Sequence, residues 1–144
     1  ELEKLQQRVK DEHIDNVIFK GFVEKKYIPY ILSRSSVNVL NYSQSNYNWS
    51  RGNSSNKLFE YMASGKPIIS TVKMGYCILD KYQCGLSLEE CTPQALAEQI
   101  LKIHDMPAET YAQMAHNAQE GAKDFDFSVL TERLYHVIES VEQK

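Results

Sequence analysis

Apolar positions recur along the chain with two periods, one typical of amphipathic helices and the other of short buried strands. Four apolar runs are too short for helices, and we predict a strand at each: Asn16–Lys20, Val37–Asn41, Pro67–Val72 and Gly85–Leu88. Elsewhere apolar residues recur every three or four positions, which predicts helices. The predicted helices are an opening one with Leu2, Leu5 and Val9, then Lys25–Ser35, one from Asn56, a short one around Gly75–Tyr82, one from Thr92–Pro93 to about His104, and two at Pro107–Lys123 and Phe127–Glu142.

Strands that alternate with helices indicate a parallel sheet with right-handed crossovers and helices on both faces. We therefore predict an α/β fold that forms one domain over residues 1–144, as this length suggests. In such sheets, ligands bind at the carboxyl ends of the strands. The apolar stripe begins at the second residue, so we expect the chain to start inside a helix and to be a fragment of a longer protein.

The segment Ser54–Ile69, SSNKLFEYMASGKPII, predicts a polar loop, a short helix and a buried strand. The polar side chains of residues 54–56 can accept hydrogen bonds from the amides of a first helical turn. Gly65 suits the left-handed residue that ends a helix, and Pro67 is tolerated where a strand begins. This segment therefore predicts a helix N-terminus close to a strand end.

The two sides of this predicted helix differ in chemistry. At 100° per residue, one side carries Leu58, Phe59, Met62 and Ala63. The other side carries Lys57, Glu60, Tyr61 and Ser64. The first side is predicted to pack, and the second presents an ammonium, a carboxylate and a hydroxyl beside a helix N-terminus. That combination suits an anionic ligand with hydroxyl groups.

Glu60 is the only acidic residue between Glu24 and Asp80. Its isolation argues against a local pair of carboxylates for a metal or for glycoside hydrolysis. A capping box does not explain it, since position 57 is lysine. The structural alternative is a Lys57–Glu60 pair, which would contribute only about 0.2–0.5 kcal/mol. From spacing alone, a ligand-binding role and this pair both stay open.

The loop Tyr42–Ser55 is 14 residues long, whereas connections of this kind usually have about 2–6. It contains Tyr47, Trp49 and Arg51, several small hydroxyl residues and no acid. We interpret it as functional rather than as an inert surface loop.

The remaining candidate chemistry is weak. Asp124–Phe125–Asp126 resembles an Asp-x-Asp metal signature, but Asp126 is better interpreted as the N-cap of the last helix. We expect the three cysteines at 77, 84 and 91 to be reduced and buried. The net charge of −3 gives no reason to expect nucleic acid, and neither a membrane-spanning run nor a signal peptide is visible.

The motif NKLFEYMASGKPII resembles the core motif of the group 1 glycosyltransferases, retaining nucleotide-sugar enzymes of GT-B architecture. The flanking segments agree in order, with NVIFKGFV and VNVLNYS before the motif and QCGLSLEECTPQALAEQI and DFDFSVLTERL after it. The resemblance extends from about Asn16 to Ile138. It implies a Rossmann-like α/β domain, the C-terminal half of a GT-B fold with its first βα unit missing.

The resemblance also implies roles for particular residues. Glu60 would receive the ribose hydroxyls, and the amides of Ser55–Lys57 would approach the diphosphate. Lys57 would neutralise the departing diphosphate, so that the candidate catalytic residues are Lys57 and Glu60. The main chain of Gly21–Val23 would contact the base. The full set of expected donor-binding residues is Gly21, Phe22, Val23, Arg51, Ser54, Ser55, Asn56, Lys57 and Glu60.

On this basis we expect a hexosyltransferase that takes a UDP- or GDP-sugar as donor, without a metal or other cofactor. The acceptor would be a glycan or lipid-linked glycan in polysaccharide biosynthesis, bound through an N-terminal domain. We expect a cytoplasmic location, with peripheral membrane association of the full-length protein as a further option. The chain alone is expected to fold but not to transfer sugar, and to bind nucleotide weakly at best.

The sequence departs from the family pattern at position 52, where glycine replaces a second glutamate eight residues before Glu60. The sugar hydroxyls would then be bound by other groups, such as those of the Tyr42–Ser55 loop. Two alternatives stay open. One is a non-catalytic nucleotide-binding or interaction module with the same fold. The other is a flavodoxin-like regulatory domain, which is disfavoured because none of the first three predicted strands ends in aspartate.

Overall fold

A computed structural model of the chain describes residues 1–42, 49–52 and 55–142. Within them lie three strands: β1 (Asn38–Leu40), β2 (Ile68–Ser70) and β3 (Gly85–Ser87). The α-helices of the described residues are α1 (Leu2–Asp11), α2 (Ile28–Arg34), α3 (Asn56–Ala63), α4 (Ile78–Tyr82), α5 (Pro93–His104), α6 (Ala108–Lys123) and α7 (Phe127–Glu142). Among these helices, none combines the length and the hydrophobicity needed to cross a lipid bilayer.

The three strands form one parallel sheet in the order β1-β2-β3. Asn38 lies opposite Ile68, and Ile68 lies opposite Gly85, so that β2 is paired on both sides. Parallel neighbours need crossover connections, and α3 and α4 provide them here.

Both faces of the sheet are covered by helices. On one face, α3, α4 and α6 pack around a buried cluster made of Leu40, Leu58, Met62, Ile68, Ile78, Leu79, Cys84 and Ala118. On the other face, Ile69 packs with Leu88 and with Ile103 of α5. Ile68 and Ile69 serve opposite faces because successive strand residues point to opposite sides. The Rossmann-like parallel α/β fold with helices on both faces is therefore confirmed.

The predicted strand at Asn16–Lys20 was wrong. These residues form no strand in the structure, and the side chain of Ile18 is 74% exposed. A strand is stabilised by a hydrogen-bonded neighbour and by burial of its side chains. Of the strands in the described residues, β1 pairs with β2, β2 also pairs with β3, and neither ladder includes this run.

The helical wheel predicts the buried side of α3 only in part. Ala63 is exposed, whereas Tyr61 and Ser64 are half-buried. Ser64 donates to the carbonyl of Tyr61 at 2.7 Å and accepts from the side chain of Asn38 at 3.0 Å. Contacts with β1 at the C-terminal end of α3 therefore rotate the buried side relative to the expectation.

Several predicted helix boundaries are confirmed by their local geometry. Gly65 follows α3 with a φ of +63°, the left-handed conformation that glycine adopts without strain. Thr92 accepts a hydrogen bond from the amide of Ala95 at 3.1 Å and so caps α5. The carboxylate of Asp126 accepts from the amide of Ser128 at 2.9 Å, which confirms it as the cap of α7.

Asp124, the other acid of the Asp-x-Asp segment, joins α4 to α7. Its carboxylate accepts from the Tyr82 hydroxyl at 2.5 Å and from the Arg133 guanidinium at 3.2 Å. The Tyr82 hydrogen bond, aided by the charge of Arg133, lowers the pKa of Asp124 below its ordinary value. Asp124 and Asp126 are thus both engaged in structural hydrogen bonds.

The three cysteines lie in different environments, so the expectation that all are buried was wrong. Cys84 is buried, Cys77 is half-buried and Cys91 is exposed. Burial raises the pKa of the Cys84 thiol to about 12. Cys91 lies in the connection between β3 and α5 and, unlike Leu88 of the same connection, belongs to neither buried cluster.

Candidate functional site

The carboxyl ends of β1 and β2 are joined by side-chain hydrogen bonds. The amide of Tyr42, two residues after β1, donates to the Thr71 hydroxyl at 2.8 Å. The same hydroxyl lies 3.0 Å from the Tyr42 carbonyl. The Tyr42 side chain extends further, and its hydroxyl lies 2.7 Å from the hydroxyl of Ser55. The N-terminus of α3 is therefore held at the edge of the sheet where ligands of such folds bind.

Ser55 has the backbone conformation of an N-cap, with φ of −68° and ψ of 141°. Its carbonyl accepts from the amide of Leu58 at 3.0 Å, but its side chain makes no capping hydrogen bond. Of the side chains of residues 54–56 that could cap this helix, that of Ser55 does not. The partial positive charge of the helix N-terminus favours anions near the first turn.

Glu60 is half-buried and lines a groove of about 390 Å³ between α2 and α3. The apolar part of the wall formed by α2 consists of Ile28, Pro29 and Leu32. The polar groups that line the groove are Lys25, Ser33, Glu60, Ser64 and Gln119. A largely apolar concavity with a few polar groups is the usual form of a small-molecule site. The Glu60 carboxylate is thus not sealed in the core. The groove extends toward the amino end of β1, because Ser64, which also lines it, accepts from the side chain of Asn38, the first residue of that strand.

Tyr61 is half-buried and follows Glu60 on α3. Burial raises the pKa of its phenol, and the neighbouring Tyr42 and Glu60 side chains add to the increase. The alternative pairing of Glu60 with Lys57 is not present, since no ion pair joins these two described residues.

The structure brings together only part of the predicted donor-binding set. Asn56 and Lys57 are exposed on the first turn of α3, and Ser55 directly precedes them. Ser54 lies outside the described residues, as do residues 43–48 of the long loop. Glu60 is one turn further along the same helix.

Gly21–Val23 stands apart from the residues that line the groove of Glu60, which begin at Lys25. Gly21 has a φ of +65°, Phe22 is 93% exposed and Val23 is half-buried. A short 3₁₀ turn and then α2 follow this segment, so it is close to the groove in sequence, although it does not line the groove.

Arg51 lies outside that groove as well. It lines a separate cavity of about 420 Å³ that also includes Gly52, Phe59 and Tyr76. Gly52 has a φ of +80°, and a Cβ atom there would lie 2.6 Å from the Tyr76 carbonyl oxygen. A side chain at position 52 would therefore require both left-handed strain and movement of the Tyr76 backbone.

Sequence reasoning missed three polar residues of the groove: Lys25, Ser33 and Gln119. Lys25 and Ser33 flank an apolar helix pattern, and Gln119 belongs to α6, more than fifty residues after Glu60. Only the packing of α6 against α3 brings Gln119 to the groove. The sequence offered one signal for Lys25, which lies two residues after the predicted contact segment Gly21–Val23.

The chain matches the family described as "Glycosyl transferases group 1" over residues 1–121. Its fold is similar to that of sucrose-phosphate synthase from Thermosynechococcus elongatus, with a TM-score of 0.69 and 21% identity, covering 96% of this chain and 34% of that one. It is equally similar to Anabaena HepE in complex with UDP-glucose, with a TM-score of 0.69 and 21% identity, covering 96% of this chain and 36% of that one. HepE in complex with UDP and glucose gives the same values.

The chain thus spans about a third of the length of these solved structures. At 21% identity, the structural similarity concerns the fold alone. No curated protein matches the chain significantly.

Proposed function

The chain belongs to the group 1 glycosyltransferase family, and we propose that it is the donor-binding part of a retaining enzyme with a UDP- or GDP-sugar as donor. The transferred group would be a hexose-type sugar, and the acceptor a glycan or lipid-linked glycan. One similar protein, Anabaena HepE, was solved in complex with UDP-glucose, which supports a nucleotide-sugar donor. Because the chain spans only 34–36% of its structural neighbours, acceptor binding and transfer are assigned to the whole protein.

The observation that carries this proposal is the position of Glu60. Its carboxylate lines the groove between α2 and α3, one turn from the helix N-terminus that faces the sheet edge. An ionised carboxylate can accept hydrogen bonds from two neighbouring hydroxyls, as a ribose presents them. The apolar wall of Ile28, Pro29 and Leu32 would accommodate the less polar parts of a nucleoside.

The diphosphate would lie at the first turn of α3. The amides of Ser55–Lys57 would donate to its oxygens, where the helix dipole favours negative charge. Lys57 is exposed at this turn and would neutralise charge on the leaving diphosphate. Lys25, on the α2 side of the groove, would add a second positive charge.

Two other predicted contacts belong to the same proposal. The main chain of Gly21–Val23 would contact the base, since this segment directly precedes Lys25. Arg51 would act toward the sugar or the phosphates from its separate cavity. Independence of metal ions, location in the cytoplasm or at the inner face of the membrane, and inactivity of the chain alone are also proposals.

One observation favours a second candidate, a non-catalytic nucleotide-binding or interaction module. Position 52 is glycine, and the Tyr76 carbonyl leaves no room for a side chain there. A carboxylate for the donor sugar is therefore missing from this position. A module of this kind would bind nucleotide without transferring sugar.

Titration with UDP, GDP and ADP, followed by amide chemical shifts, tests the proposal. We expect the largest shifts at Gly21–Val23, at residues 54–60 and at Lys25. Shifts confined to another surface, or no response to any of the three nucleotides at millimolar concentration, would contradict nucleotide binding by this groove. Transfer activity of the longer protein with a nucleotide sugar would then separate the enzyme from the non-catalytic module.

A further inference from the structure

Ser55 combines the backbone of an N-cap with a side chain that does not cap. Serine in this position normally accepts a hydrogen bond from an amide of the first helical turn. Here the Ser55 hydroxyl instead lies 2.7 Å from the Tyr42 hydroxyl, and no capping bond is formed. Because side chains occupy discrete staggered rotamers, the rotamer that reaches Tyr42 is not the one that reaches the helix amides.

Tyr42 is itself held firmly at the end of β1. Its amide and carbonyl are both bonded to the Thr71 hydroxyl, at 2.8 Å and 3.0 Å. Its ring packs on that of Trp49, with the ring centroids 5.1 Å apart, and against the buried cluster beneath α3. The position of the Tyr42 hydroxyl is therefore set by the end of β1 and by the packing of the Tyr42 ring, and not by its contact with Ser55 alone.

We infer that Tyr42 is a positioning residue that holds the Ser55 hydroxyl away from the first turn of α3, so that the amides of this turn stay available to the diphosphate of the donor. This inference rests on the proposed function, in which those amides receive the diphosphate. A capped turn would offer the diphosphate one donor fewer, since the Ser55 hydroxyl would occupy the amide of Lys57. The amide of Leu58 already donates to the Ser55 carbonyl.

Tyr42→Phe tests the first part of this inference without any ligand. The variant keeps the aromatic ring and removes only the hydroxyl, so that Ser55 is released to cap α3. We expect hydrogen exchange at the Lys57 amide to slow about fivefold. Tyr111→Phe is the matched control, because it removes a tyrosine hydroxyl that donates to the Ser36 carbonyl at 2.7 Å, beyond the opposite end of β1.

The second part is tested with UDP and uridine as probes. Tyr42→Phe should weaken UDP binding about two- to tenfold and leave uridine binding unchanged, because only the diphosphate contacts the affected amides. In a Ser55→Ala background, where no hydroxyl can cap, Tyr42→Phe should change neither amide exchange nor the affinity for UDP. Tyr111→Phe should leave both affinities at the wild-type level.

The outcomes separate the inference from the proposed function. Unchanged exchange at the Lys57 amide in Tyr42→Phe would overturn the inference, as would an effect that persists with Ser55→Ala. Equal weakening of UDP and uridine would also overturn it, since that result indicates a general structural role. Slower exchange in a chain whose variants all fail to bind either probe would overturn the proposed donor site while the Tyr42–Ser55 contact stands.

Discussion

The two sides of α3 differ in burial and in the groups that they contact. The interior side carries Leu58 and Met62, and Met62 is 0% exposed. The outer side carries Lys57, which is exposed, and Glu60, which borders the groove. Side chains of the first kind determine whether the helix stays docked, and those of the second kind determine what can bind beside it. Substitutions on one helix should therefore separate stability from ligand affinity.

The largest effect is expected on the interior side. Met62→Ala removes a fully buried side chain that packs between the sheet and Gly121 of α6. We expect the free energy of unfolding to fall by about 2–5 kcal/mol, measured by urea denaturation. Ala63→Ser, at an exposed position of the same turn, serves as the control and should change stability by less than about 0.5 kcal/mol. A loss below about 1 kcal/mol in Met62→Ala would contradict the tight packing of this side.

On the groove side, Glu60→Gln keeps the shape of the side chain and removes its charge. We expect affinity for UDP to fall about 10- to 100-fold, because hydrogen bonds to a charged group contribute about 1.5–3 kcal/mol. Unfolding by urea should be nearly unchanged. Glu98→Gln, on an exposed face of α5, provides the control. Equal affinities in the Glu60 variant and the wild type would remove the basis for the proposed ribose contact.

A smaller effect is expected across the groove at Lys25. Lys25→Gln should weaken UDP binding about two- to fivefold, as expected for the loss of one solvent-accessible charge. The adjacent Lys26 pairs with Glu24 at 2.8 Å and does not line the groove, so Lys26→Gln is its matched control. Calorimetric titration of both variants measures the difference. Identical losses in the two variants would indicate a long-range charge effect rather than a groove contact.

The smallest expected effect depends on pH and concerns Asp124, whose carboxylate joins α4 to α7. The pKa of Asp124 is lowered in the folded protein, so its ionised form stabilises the fold above the ordinary aspartate pKa, and this contribution is lost as pH falls through the lowered value. Asp124→Asn should therefore lower the melting temperature at pH 7. Below about pH 4, the melting temperatures of the variant and the wild type should converge. Asp15→Asn, at an exposed position after α1, should show no such convergence.

Two apolar runs show how far periodicity could predict the fold. Pro67–Val72 and Asn16–Lys20 look alike as strands, yet only the first contains a strand, at Ile68–Ser70. That strand is paired on both sides and buried on both faces, whereas the other run finds no partner among the described residues. Composition indicated that each run suits a strand. Whether a run forms a strand depends on hydrogen bonding to a neighbouring strand, which local sequence does not specify.

The candidate site shows the same division. Glu60 could be singled out because its charge is isolated and its motif resembles that of a known family, and the structure places it at the groove, where its binding role stays a prediction. Gln119 could not be singled out, since it reaches the groove only through the packing of α6 on α3. The partner of the Ser55 hydroxyl could not be predicted, since it is Tyr42, thirteen residues away.

The sequence by itself determined the alternation of strands and helices, the caps at Thr92 and Asp126, the left-handed turn at Gly65 and the chemistry carried by α3. These features depend on interactions within a few residues, which local sequence encodes directly. The tertiary structure alone decided which apolar runs became strands, which groups line the groove and which partner the Ser55 hydroxyl takes. Those outcomes depend on contacts between distant segments, and such contacts exist only once the sheet and its helices have packed.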